Sequence, residues 1–179
     1  MRTKQLLLSA LATGALTLST AAAYAKGPAP VTVTLKTATG DDAGTAVLKQ
    51  EKDYVSIKVA VKGLPPGQHG IHIHQNAKCD GPDFKTAGGH FNPDQKKHGI
   101  NSPEGHHNGD IPVNLTVKPD GTDKVSIKVT SISLDPASPN SVFTNGGTSL
   151  VIHEKADDML TDPSGNSGNR IACGVIARP

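Results

Sequence analysis

The chain has 179 residues, which suits one domain with an N-terminal targeting segment and leaves no room for two full domains. Its charges are nearly balanced, with 18 lysines and arginines against 16 aspartates and glutamates. Loss of an N-terminal segment carrying Arg2 and Lys4 would leave 16 of each sign. This balance gives no support for nucleic-acid binding or for binding to a membrane surface.

Residues 1–25 have the pattern of a secretory signal peptide. Arg2 and Lys4 form a basic start, an apolar stretch follows, and Ala23-Tyr24-Ala25 is a small-x-small motif of the kind that precedes cleavage. The apolar stretch is shorter than the roughly 20 residues that span a bilayer, which disfavours a membrane anchor. We therefore predict export, to the periplasm or beyond, of a mature domain 26–179 that has no membrane contact after cleavage.

The mature sequence alternates apolar and polar residues in short runs that are separated by turn residues. In the first run Val31, Val33 and Leu35 alternate with polar side chains. This period of two is typical of antiparallel β-structure, and no stretch keeps a helical period. The pattern predicts eight strands, at about residues 30–38, 44–50, 53–63, 69–75, 110–118, 123–130, 148–154 and 170–177.

Two connections between these strands are too long to be turns. Residues 76–109 and 155–169 are rich in glycine, asparagine, aspartate, proline and histidine. Loops of this length without secondary structure of their own are usually functional or disordered. The first loop holds four of the eight histidines, which favours a functional role.

The chain has two cysteines, Cys79 and Cys173. An even pair in an exported protein favours a disulfide. It would close a loop of about 94 residues and stabilise the fold by roughly 4–5 kcal/mol in the chain-entropy model. Two buried free thiols are the alternative.

The histidines form a pattern that indicates metal binding. His72 and His74 are two residues apart on a predicted strand, so both imidazoles point to one face. A planar set of nitrogens favours Cu(II), and a tetrahedral set completed by a carboxylate favours zinc. The further candidates lie in the first loop and at the end of a later strand: His90, His98, His107, Asp110 and His153.

The two remaining histidines, His69 and His106, could be structural residues or metal ligands. We interpret His69, which precedes the His72 strand, as structural. His106 adjoins His107 and could replace it as a ligand, although the spacing of three residues to Asp110 favours His107.

Five segments, in order and spacing, resemble the copper,zinc superoxide dismutase family. The resemblance covers nearly all of the mature chain, and several independent motifs make it specific. The segments are Gly70–His74 (GIHIH), Gly88–Pro93 (GGHFNP), His107–Asp110 (HNGD), His153–Asp158 (HEKADD) and Gly168–Val175 (GNRIACGV).

The resemblance implies a role for each matching residue. His90 would bridge two metals, Asp157 would link His72 to His98, and Arg170 would guide anions to the copper. Cys79 and Cys173 would form the family's intrachain disulfide. The copper ligands would be His72, His74, His90 and His153, and the zinc ligands His90, His98, His107 and Asp110.

The resemblance also implies an enzyme, a superoxide dismutase. It would convert superoxide to dioxygen and hydrogen peroxide by alternating reduction and oxidation of the His-bound copper (Cu2+/Cu+), beside a structural Zn2+. The implied fold is an eight-stranded antiparallel Greek-key β-sandwich or barrel with two long functional loops. Superoxide is the expected substrate, no nucleic-acid partner is expected, and a homodimer is a possible assembly.

Two features limit these expectations. The later loop has no lysine over residues 159–168, so lysines of the earlier loop are the alternative candidates for steering superoxide. The rival functions are a metal buffer of the same fold that lacks catalysis, and a structural sandwich whose histidines bind metal incidentally. The candidate steering lysines are Lys78, Lys85, Lys96 and Lys97.

Overall fold

The computed structural model describes residues 27–178, and these form an all-β protein. All eight predicted strands are present, with two single-turn 3-10 helices, Lys85–Ala87 and Thr144–Gly146. The predicted signal peptide lies outside the described residues. Within 27–178, no helix has the length and apolar character that crossing a membrane requires. The strands are β1 (Val31–Thr37), β2 (Asp42–Gln50), β3 (Val55–Val61), β4 (Gly67–His74), β5 (Asp110–Val117), β6 (Asp123–Val129), β7 (Thr148–His153) and β8 (Arg170–Ile176).

The strands pair antiparallel in the order β5-β4-β7-β8-β1-β2-β3-β6. The two end strands, β5 and β6, also approach each other, so the sheet nearly closes into a barrel. Three of the pairs, β4 with β7, β1 with β8 and β3 with β6, join strands that are distant in sequence. The prediction of an eight-stranded antiparallel fold with long crossover loops is confirmed.

The alternation of residues along the strands builds the core. In β3, Val55, Ile57, Val59 and Val61 are buried, and the residues between them face outward. The chain has no tryptophan and only three phenylalanines, so valine, isoleucine and leucine supply most of the buried surface. Branched side chains suit the pleated inner surface of such a sandwich.

Strand β4 divides the core from the histidine-bearing surface. Ile71 and Ile73 point into the core, which places His72 and His74 on the outer face of the sheet. Strand β7 pairs with β4 and ends at His153. The strand pairing therefore brings the three histidines together, and the two long loops cover them.

A disulfide joins Cys79 in the first loop to Cys173 in β8, with the two Cα atoms 5.6 Å apart. The disulfide that the sequence favoured is thus present. Beneath it Phe84, Ala87 and Val151 form a second, smaller apolar cluster. The first loop is therefore attached to the barrel by a covalent bond and by apolar packing.

Ile57→Ala tests the core. Ile57 is fully buried and lies between Leu48 of β2 and Ile127 of β6. We expect the free energy of unfolding to fall by about 3 kcal/mol, because a cavity adds to the lost transfer energy. Urea unfolding of the disulfide-intact protein measures it. The control Thr45→Ala, exposed on β2, should change stability by less than about 0.5 kcal/mol; equal losses would contradict the prediction.

Candidate metal centre

Seven predicted side chains form two buried clusters that share His90. Within each cluster, one nitrogen or oxygen atom from every member lies within 4.8 Å of the corresponding atoms of the others. One cluster has four imidazoles, and the other has three imidazoles and a carboxylate. The clusters are His72, His74, His90 and His153, and His90, His98, His107 and Asp110.

In the first cluster each imidazole uses one nitrogen for a hydrogen bond to the protein and leaves the other for the cluster. His72 Nε2 donates to Asp157 Oδ2 at 2.8 Å, and His74 Nδ1 donates to Gly88 O at 2.9 Å. His153 Nδ1 donates to Gly168 O at 3.3 Å. The free nitrogens then converge, since His74 Nε2 and His153 Nε2 lie 3.3 Å apart.

Two nitrogens of this cluster have no partner at all. His72 Nδ1 and His90 Nε2 are buried without a hydrogen bond, and such orphan atoms are rare in folded proteins. A metal ion bound by the four imidazoles would satisfy both atoms. The residues present therefore fit a copper site, for which imidazole nitrogen is a suitable ligand.

The second cluster centres on one carboxylate oxygen. Asp110 Oδ1 lies 2.8 Å from His90 Nδ1, 3.0 Å from His98 Nδ1 and 3.3 Å from His107 Nδ1. Its other oxygen accepts the backbone N–H groups of Gly99 and His107. Three nitrogens and one carboxylate oxygen are a donor set typical of zinc.

Asp157 joins the two clusters. Besides its bond to His72, it accepts a hydrogen bond from His98 Nε2 on Oδ1 at 3.0 Å. The buried Asp157 is held in place by Asn114 of β5, whose side chain bonds both its backbone N–H and its carbonyl. The predicted link between His72 and His98 is therefore present, whereas sequence gave no signal for Asn114.

Comparison with known proteins agrees with this geometry. A model of the copper/zinc superoxide dismutase family matches residues 42–176. The chain belongs to the copper/zinc superoxide dismutase family. Several matched relatives are named as superoxide dismutases, which are oxidoreductases that act on superoxide. The family description names the two metals, copper and zinc, that the two clusters suit.

Relatives with similar sequences and folds include bacterial proteins. Copper-zinc superoxide dismutase 1 of Aquifex aeolicus is 47% identical over 138 residues, which cover 76% of this chain and 81% of that protein. The crystal structure of a superoxide dismutase-like protein from Bacillus subtilis has a TM-score of 0.77 and 41% identity, and covers 80% of this chain and 96% of that one. The copper/zinc superoxide dismutase from Brucella abortus has a TM-score of 0.67 and 30% identity, with 83% and 99% covered.

A cleft of about 460 Å³ leads from solvent to the first cluster of this family member. His74, His90 and His153 lie along it, together with Arg170. The Arg170 guanidinium donates to the carbonyls of Phe84 and Gly88, each at 2.6 Å. No carboxylate forms an ion pair with Arg170 among residues 27–178, so its charge is available at the wall of the cleft.

Asp162 is a residue that sequence reasoning missed. Its Oδ1 accepts the backbone N–H of His98 at 2.8 Å and lies 3.9 Å from His107 Nε2. Lys97 Nζ is 3.7 Å from its other oxygen. In the sequence, Asp162 precedes a proline in a polar loop, which is the pattern of a turn. Nothing in that pattern links Asp162 to the second cluster.

The two histidines left open by the sequence lie outside the clusters. His69 is buried with Nδ1 2.8 Å from the carbonyl of His153 and Nε2 2.9 Å from that of Pro65, which agrees with a structural role. His106 Nδ1 donates to the carbonyl of His107 at 2.8 Å. It is His107, as the spacing favoured, that reaches Asp110.

Burial makes most of the cluster imidazoles neutral at pH 7. It lowers the pKa of His72 and His153 to about 4 and that of His90 to about 3. Burial also disfavours charge on His98, but hydrogen bonds to Asp110 and Asp157 outweigh it and raise the pKa to about 9. The same histidine hydrogen bonds hold the pKa of both carboxyl groups below their usual range against the opposing effect of burial.

These pKa values predict how the stability of the metal-free protein depends on pH. Unfolded histidines bind protons near pH 6.5, whereas His72, His90 and His153 in the folded state do so only near pH 4 or below. The unfolded state therefore holds more protons in between, and the free energy of unfolding should fall by at least about 2 kcal/mol from pH 6.5 to 4.

His98 should act in the opposite direction. Its folded pKa of about 9 lies above the unfolded value, so its contribution is complete below about pH 6.5 and is lost as pH rises through 9. Urea unfolding in a chelator, at a series of pH values, tests both limbs. His98→Gln should remove only the alkaline loss. A stability that stays constant from pH 6.5 to 4 would contradict the assignment of the buried neutral imidazoles.

Proposed function

We propose that this chain is a superoxide dismutase that converts two superoxide ions and two protons to one dioxygen and one hydrogen peroxide. The observation that carries the proposal is the pair of orphan nitrogens, His72 Nδ1 and His90 Nε2, in a buried four-histidine cluster at the end of a cleft. Arg170 at the cleft wall supports an anionic substrate. The names of the relatives agree with this activity.

The ligand sets follow from the two clusters. The four-imidazole set would hold copper, and the set of three imidazoles with Asp110 would hold zinc. When bound, copper supplies one-electron exchange with superoxide in either direction, whereas zinc has no redox chemistry. The proposed ligands are His72, His74, His90 and His153 for copper, and His90, His98, His107 and Asp110 for zinc.

His90 would be the proton-holding residue. Its Nδ1 lies in the second cluster, 2.8 Å from Asp110 Oδ1, while its Nε2 faces the first cluster without a protein partner. An imidazole fixed at Nδ1 can hold a proton at Nε2 and pass it to a reduced oxygen species in the cleft. The second cluster would keep the ring of His90 oriented for this transfer.

Arg170 and Lys85 would attract the anion. Arg170 is held by two carbonyls and is charged at neutral pH, although burial lowers the pKa of its guanidinium. Lys85 lines a neighbouring surface depression with Arg170, although Asp83 pairs with it at 2.8 Å. Lys97 instead pairs with Asp162 at 3.7 Å. Among the four candidate lysines, the placement of Lys85 beside Arg170 supports a steering role.

We also propose that the protein is exported. The Cys79–Cys173 disulfide is a bond that persists in oxidising compartments, which supports secretion directed by residues 1–25. We infer that cleavage follows Ala25 and that the mature domain acts in the periplasm. A homodimer stays a prediction from the family resemblance.

The first experiment compares the copper- and zinc-loaded mature protein with His153→Ala. Removal of one cluster nitrogen should lower the dismutation rate at least about a hundredfold. Even mutation of residues that only hydrogen-bond to metal ligands typically lowers metal affinity or activity by about 10–100-fold. Pulse radiolysis would measure the rate, and metal analysis the copper content. His106→Ala is the matched control, since His106 lies outside both clusters, and it should keep its activity.

The outcome separates the rival functions. Full metal loading of the unsubstituted protein without turnover would refute catalysis and leave a metal-binding relative, such as a copper or zinc buffer. Failure to bind either metal would refute both functions and favour a structural sandwich.

Asp162→Ala tests the contact between the second loop and the proposed zinc site. We expect zinc affinity to fall about tenfold, because the variant loses the acceptor for the His98 N–H and the negative charge near His107 Nε2. Competition with a chromogenic chelator measures it. Asp162→Asn keeps an acceptor oxygen and should lose less. The control Asp120→Ala, in the β5–β6 turn, should bind zinc normally; an unchanged affinity of Asp162→Ala would contradict the role.

A further inference from the structure

The outer surface of the β1-β2-β3-β6 half of the barrel is basic. Residues that alternate with the core positions of these strands point to solvent, and among them are six exposed lysines. We call this surface the lysine face. Its lysines are Lys36 of β1, Lys49 of β2, Lys58 of β3, Lys62 directly after β3, and Lys124 and Lys128 of β6.

The strand register places these charges close together. Lys58 lies opposite Ser126, and Lys124 and Lys128 are the outward residues on either side of Ser126 along β6. Diagonal neighbours of this kind are about 8 Å apart between backbones. This spacing is near the Debye length at physiological salt, so the three charges act together on an approaching anion.

Few acidic groups offset the charge of this face. Asp42 pairs with Lys62 at 2.7 Å and Glu51 with Lys49 at 2.9 Å, both at the borders of the face. Lys36 lies opposite Asp42 in the register of β1 and β2. Within residues 27–178, no ion pair is formed by Lys58 or Lys124. Lys128 lies over the Tyr54 ring, 5.1 Å from its centroid, and forms no ion pair among residues 27–178. The chain is nearly neutral as a whole, so the excess of positive charge is local to this face.

We propose that the lysine face binds an acidic polysaccharide. A linear polyanion is complementary to several lysines that lack acidic partners. The hydroxyl groups between them can hydrogen-bond to sugar hydroxyls and carboxylates. These hydroxyls belong to Thr32, Thr34, Thr45, Ser56 and Ser126.

The composition of the face disfavours two other polyanionic partners, an anionic membrane surface and single-stranded nucleic acid. A membrane-binding surface usually inserts large apolar side chains, but the apolar outward residues here are the small Val47 and Ala60. Single-stranded nucleic acid is bound with aromatic stacking platforms, and the one aromatic ring, Tyr54, is half-buried beneath Lys128.

The position of the face allows binding and catalysis together. The histidine clusters lie outside β4 and β7, in the half of the sandwich opposite to β2 and β3. A polysaccharide on the lysine face would therefore leave the cleft beside Arg170 open to solvent. Bound protein would act at a fixed place on an acidic matrix.

The test uses alginate, a polycarboxylate polysaccharide, and the metal-loaded mature protein. Lys58→Gln with Lys124→Gln removes two unpaired charges from the centre of the face. The matched control is Lys118→Gln with Arg178→Gln, two exposed basic residues outside the face. We expect the face variant to bind alginate about tenfold more weakly at physiological salt, and the control to bind like the unsubstituted protein.

Dismutation rates and unfolding midpoints should be the same in all three proteins, which separates binding from folding and catalysis. Equal weakening in the control variant would show diffuse charge attraction and overturn the proposal. So would a failure of the unsubstituted protein to bind alginate at physiological salt. Tighter face-dependent binding to phosphatidylglycerol vesicles or to single-stranded DNA would overturn it in favour of that partner.

Discussion

The metal centre depends on one buried carboxylate, Asp157, which accepts hydrogen bonds from His72 and His98 at once. By occupying the Nε2 atom of each ring, it leaves both Nδ1 atoms for the clusters. A buried charge without partners would be costly, and here two imidazoles and the Met159 N–H supply them. The loop fits closely around it, since a Cβ at Gly165 would collide with Asp157 Oδ1. Gly165 also has a φ of +63°, which favours glycine.

The same rule applies to two other imidazoles. His74 and His153 each donate from Nδ1 to a backbone carbonyl, which sets the tautomer and the orientation of the ring. Gly88 O plays this part for His74 and also accepts from Arg170, so a single carbonyl orients a proposed copper ligand and the anion contact. The disulfide and the Phe84 cluster attach the segment that carries this carbonyl to β8. The proposed copper ligand, the proposed anion contact and the disulfide are therefore parts of one local structure.

The two halves of the sandwich divide the charge of the molecule between them. In the four-imidazole cluster, burial lowers the pKa of the rings and keeps them neutral and ready to bind metal. In the other cluster, hydrogen bonds to Asp110 and Asp157 raise the pKa of His98 instead. The opposite sheet carries lysines that face solvent and lack acidic partners at its centre. The balance of total charge hides this separation, so the composition alone does not indicate the lysine face.

The sequence by itself determined the eight strands and the identity of the cluster residues. The period of two fixed the strands, and a short spacing such as His72-x-His74 fixes a shared face wherever the strand lies. Only the tertiary structure decided which loop groups hold the site together. Asp162 accepts the backbone N–H of His98, and Asn114 of β5 bonds the backbone of Asp157 in the later loop. Both contacts join residues that are distant in sequence, so they depend on three-dimensional proximity. The lysine face arises in the same way, because the register between strands sets the distance from Lys58 to Lys124.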